Sequence, residues 1–165
     1  MSNITIGGKP IHTSGSLPDK GKKAPGFTLV NPELGTTSLD EFSGKKVLLN
    51  IFPSLETSVC STALRKFNER AAGLENTVVI AISKDLPFSF KRFCSTEGID
   101  KLVTLSAFRD SSFGMDYGVD LLDGPFQGLL ARSVVVIDER GNVIYTELVP
   151  EIAQEPDYDS ALAAL

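Results

Sequence analysis

Two cysteines in 165 residues are the most reactive side chains this chain offers, and one of them, Cys60, ends the stretch PSLETSVC that begins at Pro53. Cys60 follows Thr57 by three residues and Pro53 by seven, directly after the apolar run Val47 to Phe52. A thiol is a poor nucleophile until it ionises. The first turn of a helix favours the anion, because unpaired backbone N–H groups and the helix macrodipole place partial positive charge there. With Thr57 as N-cap, Cys60 falls in that first turn. Pro53 ends the strand without offering an N–H and can shape a small pocket that limits water access. The chemistry open to such a thiolate is nucleophilic attack. Packing is the competing account, since free cysteine is among the most buried residue types. Cys94, taken alone, fits equally as a continuation of the apolar face of Phe90 and Phe93.

The elements that must position these residues follow from hydrophobic patterning. KKVLLNIFP contains a run that is apolar except for Asn50, bounded by Gly44 and Pro53, as for a strand buried on both faces of a mostly parallel sheet. From Cys60 onward, Ala63, Leu64, Phe67, Ala71 and Leu74 recur mostly at three- and four-residue steps and define one helical face. Thr77 to Ser83 reads as a second buried strand. Asp85-Leu86-Pro87 then supplies a capping residue and an early proline for a helix through Phe90, Phe93 and Cys94. Lys101 to Leu105 forms a short strand, and Ser112 to Gly118 a helical turn and loop. RSVVVIDERGNVIYTEL is a hairpin turning at Glu139-Arg140-Gly141-Asn142, and DYDSALAAL a terminal helix.

Ahead of this core, ITIGGKPIHT reads as a short hairpin around Gly7-Gly8, with His12 as a surface or packing residue. A strand at Phe27 to Val30 and a turn at Asn31-Pro32-Glu33 follow. Parallel βαβ units, a hairpin and a last helix fit a thioredoxin-like α/β fold with an N-terminal β-hairpin extension. In open α/β sheets functional groups gather at the carboxyl ends of strands, which is where PSLETSVC lies.

Length and composition narrow the function classes. A chain of this size folds as one domain, residues 1–165, burying roughly 70% of the surface its unfolded form exposes. Sixteen basic against twenty-one acidic residues give a net charge of −5, which argues against nucleic-acid binding, and Lys20, Lys22 and Lys23 read as a solvated linker. No apolar run is long enough to cross a membrane, and the first residues lack the pattern of an export signal, so the expectation is a soluble cytoplasmic protein. Two cysteines and one histidine do not make a Cys/His zinc site, and no cofactor is expected.

The spacing Pro53-x-x-x-Thr57-x-x-Cys60 resembles the peroxidatic motif of the peroxiredoxins. The similarity continues through Phe93-Cys94, Phe108-Arg109-Asp110, Tyr117-Gly118-Val119, Leu129-Leu130-Ala131-Arg132 and Tyr145 to Pro150. Nearly the whole chain resembles the bacterial thiol peroxidases, a subfamily of atypical two-cysteine peroxiredoxins. The resemblance implies that Cys60 is the peroxidatic cysteine, Thr57 its hydroxyl partner, Cys94 the resolving cysteine and Arg132 the active-site guanidinium, with Pro53, Thr57 and Arg132 lining the substrate site. Without it, Arg132 reads equally as half of a structural ion pair. One departure is Glu56, where relatives carry the shorter aspartate.

By the same resemblance the activity is a thiol-specific peroxidase acting on hydrogen peroxide and organic hydroperoxides, with a leaning towards alkyl hydroperoxides. It would pass through a sulfenic acid and an intramolecular Cys60–Cys94 disulfide, recycled by thioredoxin. Closing that loop would constrain the unfolded chain by roughly 3–4 kcal/mol in the loop-entropy model. Two thiols on different helices need not meet in the reduced form, so local unwinding around both is expected. Relatives form homodimers, and Leu121, Leu122 and Phe126 in the loop Asp120 to Gly128 look exposed enough to serve an interface; the alternative is a monomer with that loop packed inward. Two rival readings share the disulfide: a redox-sensing interaction protein, and a thiol–disulfide oxidoreductase. The latter is disfavoured because the cysteines are not in a C-x-x-C motif.

Overall fold

The computed structural model describes residues 3–165. The chain opens with a hairpin of β1 (Asn3–Ile6) and β2 (Lys9–His12), paired antiparallel from Asn3↔His12 to Ile6↔Lys9. Gly7 and Gly8 turn it with φ of 58° and 81°, the pair of positive values that a two-residue loop needs to match strand twist. A loop leads to a second hairpin, β3 (Thr28–Val30) and β4 (Thr36–Ser38), whose turn is closed by the Asn31 carboxamide oxygen accepting from the N–H groups of Glu33 and Gly35. A 3₁₀ turn at Leu39–Phe42 follows. Lys20, Lys22 and Lys23 are exposed in the intervening loop, with the Lys23 ammonium donating to the Arg140 carbonyl at 3.1 Å.

The core then alternates as the patterning predicts: β5 (Lys46–Ile51), α1 (Ser58–Ala71), β6 (Thr77–Ser83), α2 (Pro87–Glu97) and β7 (Val103–Ser106). A short helix α3 (Phe113–Asp116), the hairpin β8 (Ser133–Ile137) and β9 (Val143–Leu148), and α4 (Tyr158–Ala163) complete it. The seven-stranded sheet has the order β4-β3-β7-β6-β5-β8-β9. Only β5, β6 and β7 run parallel; β8 returns antiparallel to β5, and β3 antiparallel to β7. The sheet is therefore mixed rather than mostly parallel, because hairpins rather than crossover helices supply its outer strands. The architecture is thioredoxin-like α/β with a separate two-stranded N-terminal hairpin.

Alternation along the central strands divides the core. Val47, Leu49 and Ile51 pack with Ile80, Ile82, Val135 and Ile137 against the hairpin residues Ile4 and Ile11 and against Phe113 and Tyr117. On the other face Leu48, Val79, Val134 and Val136 meet Phe67 of α1 and Ala161 of α4, while Phe52 and Ala81 meet Cys60, Leu64, Phe90 and Phe93. Each buried Val, Leu, Ile or Phe among them contributes about 1.5–3 kcal/mol by leaving water. This second face carries α1 and α2 with both cysteines, and the two helices begin just beyond the carboxyl ends of β5 and β6. Asn50 shares that face, and its buried side-chain amide has no hydrogen-bond partner among the described residues.

Three expectations need correction. Leu121 is buried and Phe126 half-buried against the core, leaving Leu122 as the exposed apolar residue of their loop. The β8–β9 turn begins one residue earlier, where the Asp138 carboxylate accepts from the N–H groups of Arg140 and Asn142. The N-cap position of α2 is Leu86, with Pro87 at its start, and the Asp85 carboxylate turns away from the helix. Among the described residues no helix is long and apolar enough to cross a membrane.

Candidate active site

β5 ends at Ile51, the Phe52 N–H just beyond it still donates to the Ile82 carbonyl, and the chain leaves the sheet at buried Pro53. The loop that follows is organised by Ser54. Its carbonyl accepts from the Thr57 N–H at 3.3 Å and from Thr57 Oγ1 at 3.1 Å, and its hydroxyl oxygen accepts from the Glu56 N–H at 3.1 Å. Thr57 occupies the N-cap position of α1 with extended φ and ψ, and its carbonyl takes the Ser61 N–H. Its hydroxyl does not cap, however: it is turned back onto Ser54, leaving N–H groups of the first turn without a side-chain acceptor. This differs from the expected cap, and it leaves the positive end of α1 unscreened beside Cys60.

Cys60 lies in that first turn and is 0% exposed. Arg132, at the entrance to β8, is 1% exposed and extends across the end of the sheet so that its Nη1 donates to Cys60 Sγ at 3.2 Å. Its Nε and Nη2 both donate to the Ile152 carbonyl, at 3.0 and 2.8 Å. No carboxylate lies within ion-pair distance of Arg132 among the described residues. A guanidinium held by a neutral carbonyl keeps its full charge for the sulfur it faces. The structural ion pair, the alternative the sequence left open, is absent.

The Ile152 carbonyl owes its place to the N-terminal hairpin. The Ile152 N–H donates to the Thr5 carbonyl at 2.9 Å, and the Thr5 N–H to the Pro150 carbonyl at 2.8 Å. Glu151 locks the join: one carboxylate oxygen accepts from Thr5 Oγ1 and the Gly8 N–H, the other from the Ala153 N–H. Those backbone donors, Ala153 first, hold the Glu151 carboxyl below the usual carboxylate range. No sequence signal points to this role, because the group that grips Arg132 is a backbone oxygen.

Cys94 sits in the last turn of α2, where its carbonyl accepts the Gly98 and Ile99 N–H groups. Its thiol is half-buried against the cluster of Phe52, Leu55, Phe90 and Phe93 that also encloses Cys60, and both cysteines are free. Burial pushes the Cys94 thiol up, partly offset by a hydrogen bond with the Thr104 side chain. His12 stands apart in β2, with Nδ1 2.6 Å from Asp123 Oδ2, tying the hairpin to the loop after α3. Asp85, Ser54, Thr104 and Ile152 are the neighbours of the site that sequence patterning passed over.

Residues 19–162 match the Redoxin family model. The chain is 59% identical to a thiol peroxidase of Mycobacterium tuberculosis, over 100% of this chain and 99% of that protein, and 57% identical, with the same coverage, to one of Corynebacterium glutamicum. A solved peroxiredoxin-like protein from Aquifex aeolicus superposes with a TM-score of 0.92 at 36% identity, covering 99% of this chain and 96% of the other. A thiol peroxidase from Chromobacterium violaceum shares the fold, with a TM-score of 0.90 at 23% identity over 99% and 95% of the two chains.

The hairpin latch carries a pH signature. A carboxyl lowered by folding stabilises the native state above its unfolded value, and that contribution is lost as pH falls through the lower folded value. Hydrogen-exchange protection of the Thr5 and Ile152 amides is therefore expected to be complete above the ordinary carboxylate range, to decline as pH falls through it, and to reach its floor below the lowered folded value. In Glu151→Gln the same protection should be weaker at neutral pH; equal protection in both proteins would remove Glu151 from the latch.

Proposed function

The chain belongs to the Redoxin family as a peroxiredoxin-type thiol peroxidase, and on that premise we propose that Cys60 reduces hydrogen peroxide and organic hydroperoxides in a cycle closed by Cys94. The observation that carries this reading is the 3.2 Å contact from Arg132 Nη1 to Cys60 Sγ at the start of α1.

In the first step the Cys60 sulfur attacks the distal oxygen of the hydroperoxide. The S–O bond forms as the O–O bond breaks, and the remaining oxygen leaves with a proton as water or an alcohol. Negative charge moves from sulfur towards the leaving oxygen, so a fixed cation beside the sulfur and unpaired N–H groups at the head of α1 stabilise the whole path without reorganising. The Thr57 hydroxyl, held to the Ser54 carbonyl, orients the incoming oxygen, and buried Pro53 shields the sulfur from water. Cys60 becomes a sulfenic acid.

In the second step the Cys94 thiolate attacks the Cys60 sulfur, the S–S bond forms, and hydroxide leaves to become water. The free cysteines lie on separate helices, and burial disfavours ionisation of Cys94, so the step is accompanied by unwinding at the head of α1 and the end of α2. A dithiol reductant, thioredoxin, reopens the disulfide by exchange and is itself oxidised. No cofactor takes part. The functional unit is residues 1–165 as one domain, in keeping with a core cluster that draws on both Ile4 and Ile152, and the enzyme works in the cytoplasm as a homodimer.

After one equivalent of peroxide, peptide mapping should recover Cys60 joined to Cys94 in the wild type. Cys60→Ser should show no oxidation at Cys94, and Cys94→Ser should complete one turnover but fail to cycle with thioredoxin. Unchanged cycling by Cys94→Ser would assign resolution elsewhere. Thr104→Val removes only the interaction that lowers the Cys94 ionisation range, so its disulfide-forming step should require higher pH than that of the wild type; an unshifted profile would show that Thr104 has no such part.

A further inference from the structure

Resting on the peroxidase reading above, we propose that Asp85 is a positioning residue that fastens the Cys60 loop to the base of the Cys94 helix, and so sets how fast the sulfenic acid is resolved. Asp85 lies between the end of β6 and the start of α2. Its carboxylate accepts three hydrogen bonds: from Ser54 Oγ at 2.9 Å, from the Leu55 N–H at 2.8 Å and from Ser83 Oγ at 2.5 Å. Its own N–H donates to Ser83 Oγ, and its carbonyl accepts from Ser106 Oγ. The residue is thereby anchored to the ends of β6 and β7 while it grips the loop that leaves β5.

Through Ser54 that grip reaches Thr57, whose N–H and hydroxyl both rest on the Ser54 carbonyl, and Thr57 opens the turn containing Cys60. No ion pair competes for Asp85 among the described residues. A second link between this loop and α2, Glu56 with Arg92 at 2.9 Å, is exposed on both sides and therefore weak. Further along, Arg65 of α1 pairs with Glu97 of α2 through two bonds of 3.3 Å, both side chains partly exposed. Hydrogen bonds to a carboxylate are stronger than neutral ones, so Asp85 is the principal tie on the loop that leads into Cys60.

Two fates compete for the Cys60 sulfenic acid. Resolution forms the S–S bond and expels hydroxide, and it requires the head of α1 and the end of α2 to move. A second hydroperoxide instead adds another S–O bond, breaks its own O–O bond, releases water or alcohol and leaves a sulfinic acid; this needs only the site as it is folded. A tie that holds the folded arrangement slows the first fate and leaves the second untouched.

The test is the hydroperoxide concentration at which half of the protein, cycling with thioredoxin, becomes sulfinic, measured by mass spectrometry alongside the rate of Cys60–Cys94 disulfide formation. Asp85→Asn is expected to accelerate disulfide formation about tenfold and to raise the half-point by the same factor, the size of effect that loss of a hydrogen bond to a charged group implies. Ser54→Ala, which removes a single leg and leaves the Leu55 contact, should move both readouts in the same direction by less, and serves if the first variant does not fold. Val143→Ala lowers stability from the opposite side of the sheet and should leave the half-point where the wild type has it. An unchanged or lowered half-point in the folded Asp85 or Ser54 variant would overturn the proposal, as would an equal shift in Val143→Ala. A wild-type protein that formed no Cys60–Cys94 disulfide would instead overturn the catalytic cycle on which it rests.

Discussion

A buried guanidinium is costly to fold unless something nearby repays its lost hydration, and here the groups that meet Arg132 are one peptide carbonyl and one sulfur. The carbonyl of Ile152 satisfies Nε and Nη2 without cancelling their charge. Nη1 is left directed at Cys60 in the first turn of α1, where the helix adds partial positive charge of its own. Had a carboxylate held Arg132, the same fork geometry would have neutralised the cation before it reached the sulfur. Choice of a neutral anchor is what converts a structural arginine into an electrostatic partner for a thiol.

That one contact draws on distant parts of the chain. α1 must lie across the end of β5, which Leu48 and Phe52, to either side of Asn50, enforce from below. Ile152 must present its carbonyl at the entrance to β8, which the N-terminal hairpin enforces through Thr5 and Glu151. The loop between β5 and α1 must keep Thr57 oriented, which Ser54 and Asp85 enforce from the ends of β6 and β7. The hairpin, which contributes Ile4 and Ile11 to the core, is thus also a brace for the site. Cys60, at 0% exposure, is enclosed by these supports.

Some of this was legible from residue types alone. VLLNI, apolar but for Asn50, and the β-branched runs TVVIA and SVVVI are strands that could be read without reference to neighbours, and Thr77 to Ser83 is observed with the predicted limits. The spacing of Ala63, Leu64 and Phe67 marked the buried stripe of α1. The grouping of Cys60, Thr57, Cys94 and Arg132 came from spacing and family resemblance, since Arg132 is far from Cys60 in sequence and meets it only through the sheet. Other features left no local mark. β4 is the polar triplet Thr36–Ser38, whose pairing with β3 defines it. Asp85 before Leu86-Pro87 has the composition of a helix cap, and only the position of Ser54 and Leu55 in space diverts its carboxylate to them. Leu121 lies in a turn-rich loop whose inward direction is set by bridging to Thr13. Backbone acceptors such as the Ile152 carbonyl carry no residue signature.

The central claim is most directly tested by single-turnover oxidation of Cys60 in Arg132→Gln, with circular dichroism to establish that the variant is folded. The rate with a hydroperoxide should fall at least about a hundredfold, the scale on which loss of one preorganised charge-stabilising donor acts. A folded variant that reacts within about twofold of the wild-type rate would contradict the account, because the guanidinium would then be a packing element and not the partner of the reacting sulfur.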